Sequence, residues 1–291
     1  MQELKAKYNE YLNIFENYLD NFLNNLSGIE QNLKEAIIYS VKNGGKRVRP
    51  VLCLATADML KIDFDKVLHF ALAIELIHAY SLVHDDLPAM DNDDYRRGKL
   101  STHKKFGEAI GILAGDALLN LAFEVSLLSN EVSLNQKLAV KKIFELSGAK
   151  GMISGQSLDL LCEKSQNINE EVLYNIYLNK TCNLIKAPIL TASILADKKY
   201  YNELEEYAFN LGALFQITDD ILDVESNFEV LGKTVKKDEK SDKLTCIKLW
   251  GIEKAKEKAK MHYDRCIELI KNINESDFLI EYTNTIFMRK S

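Results

Sequence analysis

The chain has 291 residues, 47% hydrophobic and 27% charged, which excludes a disordered or fibrous protein and leaves a soluble one with a large core. A net charge of −6 argues against nucleic acid as a partner, and three prolines in the whole chain favour long uninterrupted helices. Five cysteines (Cys53, Cys162, Cys182, Cys246, Cys266) form no CxxC pair and sit in apolar stretches, so they read as buried reduced thiols of a cytoplasmic protein. No signal peptide, membrane span, linker or repeat is read, so residues 1–291 are expected to form a single domain.

The first helix is predicted over residues 1–26, with Tyr8, Tyr11, Leu12, Phe15, Leu19 and Phe22 as its apolar stripe. A second runs from about Ile29 to Lys42 and stops at Asn43-Gly44-Gly45. Lys46, Arg47 and Arg49 follow in a loop just ahead of a helix start at Pro50. Cations, glycine-loop amides and a helix N-terminus together suit an anion such as a diphosphate, although a basic surface turn would read the same. The helix over Val51–Leu60 is apolar nearly all round. Asp63–His84 carries Val67, Leu68, Ala71, Ile74, Leu76, Ile77 and Tyr80 in helical register, and His78 lies seven residues before Asp85, on the same face.

The stretch Leu76–Gly98 (LIHAYSLVHDDLPAMDNDDYRRG) then turns from apolar helix to dense charge. Asp85, Asp86, Asp91, Asp93 and Asp94 fall within ten residues, and Arg96 and Arg97 follow. Neighbouring carboxylates raise one another's pKa, a strain that Mg²⁺ relieves while sharing its sites with phosphate oxygens. Arginines beside them suit bidentate phosphate binding. Pro88 predicts a break that brings Asp91 back toward Asp85.

Phe106–Leu128 reads as one long apolar helix whose Gly107, Gly111, Ala114 and Gly115 serve packing, and Val132–Ser147 as another helix. In Gly148–Asp159, Gln156 and Asp159 share a face and need polar partners. Lys180-Thr181 stands mid-helix in Glu170–Leu195, with a kink predicted from Pro188. Glu203–Glu225 carries a second acidic cluster, Asp219, Asp220 and Asp223, with Gln216 one turn earlier in apolar surroundings. Such carboxylates are hard to explain as a solvated face, and metal coordination is the favoured account. Leu231–Thr245 reads as a lysine-rich flap in which Lys233 and Lys243 are candidates for phosphate, and helices over 244–271 and 275–288 close the chain.

These motifs resemble the short-chain trans-isoprenyl diphosphate synthases, in particular the bacterial farnesyl type. DDLPAMD (Asp85, Asp86, Asp91) followed by Arg96-Arg97 is similar to the first aspartate-rich motif, and DDILD (Asp219, Asp220, Asp223) to the second. GGKRVRP, GQSLD, Lys180-Thr181, Phe215-Gln216 and Gly232–Thr234 match in order, and the resemblance covers about residues 30 to 250. Lys236 and Ile247 depart from the family's common glycine and proline. The resemblance implies an all-α helical bundle of the isoprenoid-synthase type, with about ten core helices around a deep central cavity, and a homodimer. It implies three Mg²⁺ ions (Mn²⁺ as a substitute) held by the two aspartate motifs. Isopentenyl diphosphate would be bound by Lys46, Arg49, His78 and Arg97. The allylic diphosphate would be held by Arg96, Lys180, Gln216, Lys233 and Lys243. Lys180, Thr181 and Gln216 would stabilise the carbocation, and the released diphosphate would take the final proton. Tyr80, five residues or about 7.5 Å up the helix from Asp85, with Ser81 beside it, resembles the floor that stops growth at fifteen carbons. The rivals are a geranylgeranyl diphosphate synthase, a terpene cyclase and a non-catalytic helical partner subunit; the last typically loses one acidic motif, and this chain keeps both.

Overall fold

The structure is a computed structural model that describes residues 2–128, 133–162, 169–231 and 245–289. Among the described residues it is all-α apart from one short hairpin, as the helical periodicity predicts. Backbone contacts gather the chain into two compact units, residues 2–140 and residues 141 onward.

The first unit contains α1 (Gln2–Asn24), α2 (Gln31–Lys42), α3 (Val48–Met59), α4 (Leu68–Asp85), the hairpin β1 (Tyr95–Arg96) and β2 (Lys99–Leu100), α5 (Thr102–Phe106) and α6 (Glu108–Ser126). α4 is its core: thirteen of its eighteen residues are buried, and α1, α2, α3 and α6 pack around it. α1 lays down Tyr11, Phe15, Leu19 and Leu23, a stripe four residues apart. α3 starts three residues earlier than predicted because Arg47, at a left-handed φ of +48°, turns the chain into it. That turn is fixed by a buried ion pair. Arg47 donates to Glu75 Oε1 (2.9 Å), Glu16 Oε1 (2.8 Å) and the Val41 carbonyl (2.9 Å), so it belongs to the scaffold and not to the anion loop.

Three expectations need correction here. The helix over Asp63–His84 begins at Leu68, after a 3₁₀ turn at Phe64–Lys66. The helix over Phe106–Leu128 is cut at Gly107, whose φ of +91° ends α5 and opens α6. The hairpin was not foreseen: Arg97 (φ +54°) and Gly98 (φ +76°) form its two-residue turn, and two-residue strands carry too little alternation to see. In addition, α6 is long and apolar enough to cross a membrane by length and composition alone, contrary to the sequence reading. Its Gly111, Ala114, Gly115, Leu118, Ala122 and Val125 are buried, and α6 packs on α4 and α2.

The second unit begins within α7 (Leu134–Ser147) and continues through α8 (Met152–Cys162), α9 (Glu170–Ile176), a π-helical turn at Tyr177–Cys182, α10 (Asn183–Leu195), α11 (Tyr201–Leu231), α12 (Cys246–Trp250), α13 (Ile252–Ile270) and α14 (Asp277–Phe287). α11 is the centre, packed by α10, α12, α13, α14 and the π turn. Gly212 lets α11 close on that turn, since a Cβ there would stand 2.8 Å from Cys182. Gly251, at φ +74°, divides the helix predicted over 244–271 into α12 and α13. His262 is locked as a neutral ring: its Nδ1 donates to Asn210 Oδ1 (2.8 Å), its Nε2 accepts from Tyr174 (3.1 Å), and burial holds it down at about 4. All five cysteines are free and buried.

Replacing Glu75 with alanine leaves the buried Arg47 charge with Glu16, the more exposed of its two carboxylate partners. Chemical denaturation should show a loss of about 3 kcal/mol; an unchanged midpoint would remove the ion pair from the account of the fold.

Candidate active site

α4 ends where its register delivers Asp85, and Pro88 forbids a helical Leu87 from carrying it further. The chain folds back on itself. Asp91 N–H donates to the Asp85 carbonyl (2.9 Å), Asn92 N–H to Leu87 (3.1 Å) and Asp93 N–H to Asp86 (3.2 Å). The break therefore returns Asp91 alongside Asp85, as its position after Pro88 predicts. Asp86 is buried, and Arg96 grips its Oδ1 through Nε (2.9 Å) and through a second, shorter contact from Nη2. Even so, burial leaves the Asp86 carboxyl above its ordinary pKa. Arg97, one residue along the hairpin, donates instead to the Gly44 carbonyl. Gly45 beside it takes φ +128°, a backbone conformation that favours glycine, and leaves room for the Arg97 guanidinium.

That pairing assembles a basic cluster. Burial, followed by the charges of Arg49, Arg97, Arg47 and Arg96, holds the His78 imidazole well below its ordinary pKa. Burial also pushes the Arg97 guanidinium down, with Arg47 and Arg96 adding to it against Glu75. A neutral imidazole among arginines makes a basic cluster suited to binding an anion. The structure thus brings Arg49, His78 and Arg97 into one neighbourhood. Lys46 lies exposed in the adjoining loop, where its carbonyl accepts from Tyr8.

Deeper along α4, Ser81 donates to the His78 carbonyl (2.9 Å), and Tyr80 is buried with its phenol pushed up to about 12. Its hydroxyl meets no partner among the described residues. The ring stands edge-on to His84 at 5.9 Å, and His84 Nε2 lies 3.0 Å from the Ile112 carbonyl. Gly115 is what admits His84, since a Cβ there would overlap the imidazole.

In the second unit, Asp220 is buried on α11 and saturated with donors. Its Oδ2 accepts from the Tyr177 hydroxyl (2.7 Å) and the Cys246 N–H (2.9 Å), and its Oδ1 from Gln216 Nε2 (3.0 Å). Gln216 Oε1 in turn accepts from the Thr181 hydroxyl at 3.0 Å. Asp219 accepts from Arg289 (2.9 Å), whose guanidinium lies over the Phe215 ring at 5.0 Å. Asp223 is pushed up, first by burial and then by the charge of Asp220. Lys180 donates to Asp159 Oδ2 at 2.5 Å, the polar partner that Asp159 was expected to need. The irregularity predicted from Pro188 lies earlier, in the π turn; Pro188 sits inside a continuous α10. A π turn inserts one residue and so re-aims Lys180 and Thr181, a device common at functional sites. Gly155 of α8 packs against the Lys180 backbone, where any Cβ would collide. Tyr177 and Arg289 were not singled out in the sequence, because neither belongs to a charged cluster. Lys233, Lys243, Lys236 and the Gly232–Thr234 motif lie outside the described residues.

The donor set fits Mg²⁺. Asp86 and Asp223 carry carboxyls raised by burial, the strain a cation relieves. Among the described residues no three His, Cys, Asp or Glu side chains converge as a complete metal cage.

Comparison with known proteins bears on this arrangement. The sequence model of the Polyprenyl synthetase family matches residues 30–283. The chain belongs to the polyprenyl synthetase family. It is 44% identical over 261 residues to the farnesyl diphosphate synthase of Micrococcus luteus, covering 88% of each chain. It is 41% identical over 241 residues to the geranylgeranyl diphosphate synthase of Cyanophora paradoxa, covering 81% of this chain and 80% of that one. The crystal structure of a geranyltransferase from Legionella pneumophila superposes with a TM-score of 0.87 at 33% identity, over 98% of this chain and 97% of that one. Both aspartate motifs of this polyprenyl synthetase relative lie inside the matched residues.

Gly155→Ala should force α8 off the π turn and break the Asp159–Lys180 pair. The expected loss is about 1–3 kcal/mol of stability, seen in thermal unfolding; a variant as stable as the parent would mean that close approach is not required.

Proposed function

We propose that this chain is a prenyltransferase that condenses isopentenyl diphosphate with dimethylallyl or geranyl diphosphate, head to tail and in trans, to give farnesyl diphosphate. The observation that carries the reading is in the first unit. An aspartate bank suited to Mg²⁺ and a separate arginine–histidine cluster suited to an anion stand on the two sides of one hairpin, through Arg96 and Arg97. One enzyme that must hold two diphosphates needs both.

Asp85, Asp86 and Asp91 of the first motif, and Asp219, Asp220 and Asp223 of the second, are the proposed ligands of three Mg²⁺ ions, with Mn²⁺ as a substitute. When bound, Mg²⁺ neutralises the allylic diphosphate and draws electrons from its carbon–oxygen bond. Arg96, Lys180, Gln216, Lys233 and Lys243 hold that leaving group. Lys46, Arg49, His78 and Arg97 hold isopentenyl diphosphate, with His78 kept neutral as a hydrogen-bond donor among cations. Thr181 and Gln216 offer side-chain oxygen dipoles, and Lys180 its backbone carbonyl, to the developing cation. The new bond forms between the allylic carbon and the terminal alkene carbon; the adjacent proton then leaves to the released diphosphate. Tyr80, with Ser81, closes the end of the growing chain.

The second reading is a twenty-carbon synthase, favoured by the Cyanophora similarity. The bulk of buried Tyr80 favours fifteen carbons. We read residues 1–291 as one catalytic domain, a view supported by a family match that runs through both units. A cytoplasmic homodimer is part of the proposal, supported by Ile112, Leu113, Phe123, Leu127 and Leu128, large apolar residues left exposed on and just after α6.

Labelled isopentenyl diphosphate with each allylic starter should yield fifteen-carbon product only when Mg²⁺ is present. Asp85→Ala and Asp219→Ala should each lower turnover by roughly 10²-fold or more with an unchanged helical circular-dichroism spectrum; near-normal turnover would refute the metal roles. Tyr80→Ala should shift the products to longer chains by chromatography, and an unchanged distribution would remove Tyr80 as the floor.

A further inference from the structure

Tyr177 has no part in the chemistry described so far. It is buried in the π turn, three residues before Lys180, and spends its hydroxyl on Asp220 Oδ2 at 2.7 Å. The Cys246 N–H reaches the same oxygen at 2.9 Å, and Gln216 Nε2 reaches Oδ1 at 3.0 Å. Three elements therefore meet on one carboxylate: the π turn, α11 and the first residue of α12. A carboxylate is acceptor-only, so it dictates which end of the Gln216 amide faces it. The NH₂ must turn to Asp220 and the carbonyl away. That carbonyl accepts the Thr181 proton at 3.0 Å, which leaves the lone pairs of the threonine oxygen to point elsewhere.

We propose that Tyr177 is a positioning residue: through Asp220 it fixes the Gln216 amide, and through Gln216 it sets the direction of the Thr181 hydroxyl. The inference rests on the prenyl-transfer reading, in which Thr181 and Gln216 face the allylic cation. The Tyr177 hydroxyl is a buried donor held 2.7 Å from Asp220 Oδ2. Without that donor Asp220 keeps two of its three partners. It can then rotate, and the amide and hydroxyl that depend on it lose a single orientation. Dipoles that must be aimed before charge develops are worth most when they cannot reorient, so the loss belongs in turnover and not in binding.

The test is Tyr177→Phe in the full-length protein. Turnover should fall roughly tenfold, with KM for isopentenyl diphosphate, which neither Asp220 nor Gln216 holds, within about twofold of the parent. In a Gln216→Leu background the same change should add less than about twofold, because the relay is already cut. Tyr207→Phe is the control. Tyr207 is an equally buried phenol of the same unit, bonded to Thr283 and the Leu279 carbonyl. It should lower the melting temperature and leave kcat unchanged. Should Tyr177→Phe not be recovered folded, Tyr177→Met, which also removes the hydroxyl donor, carries the test by the same split of kcat from KM. Parent-like kcat in Tyr177→Phe overturns the proposal, as does a loss that multiplies in full with Gln216→Leu or one matched by Tyr207→Phe. A parent protein that forms no prenyl product would instead sink the reading on which the proposal rests.

Discussion

Burying a carboxylate costs several kcal/mol unless donors or a cation meet it, and both halves of this protein are arranged around that requirement. Asp86 at the end of α4 recruits Arg96, and through the two-residue turn that follows, Arg97 is carried to the glycine loop before α3. Asp220 on α11 recruits Tyr177, Gln216 and Cys246, and so pins a π turn and the start of α12 to the same helix. What remains uncompensated is as informative. Asp86 stays raised by burial, the more exposed Asp223 by partial desolvation and then the charge of Asp220, and His78 stays neutral among four arginines. Carboxylates of that kind suit a cation and a basic cluster suits an anion, the two requirements of metal-assisted diphosphate chemistry.

The scaffold that holds these groups is plain helix packing with small residues at the tight points. Gly115 admits His84 beside α6, Gly155 lets α8 touch the π turn, and Gly212 lets α11 reach Cys182. Each glycine lies where a methyl group would collide with the residue that aims a functional side chain. Arg47 and Glu75 do the equivalent work with charge, turning the chain into α3 so that Arg49 falls in its first turn. Rigidity is therefore concentrated next to the polar groups rather than spread evenly through the core.

Much of this was legible in the sequence, and the reason is periodicity. Helices as long as α1, α4 and α11 repeat their apolar pattern enough times to be unmistakable, and the aspartate clusters interrupt that pattern visibly. Pro88 foretold that Asp91 returns to Asp85, and the Asp91–Asp85 amide bond is that return. The losses came where one residue changes the backbone. Gly107 and Gly251 split predicted helices, Arg97-Gly98 makes a hairpin too short to alternate, and the π turn at Tyr177–Cys182 leaves no sequence mark beside Lys180-Thr181. Tyr177 and Arg289 escaped for a different reason: their importance lies in partners 43 and 70 residues away, a distance no local pattern spans.

The central claim is that the two aspartate motifs take Mg²⁺ in company with a diphosphate. Isothermal titration of a non-ionisable geranyl diphosphate analogue, with Mg²⁺ and again with a chelator, tests it most directly. The account predicts binding at least about 10²-fold tighter with Mg²⁺, and loss of that difference in Asp219→Ala. Equal affinity with and without the metal would contradict it.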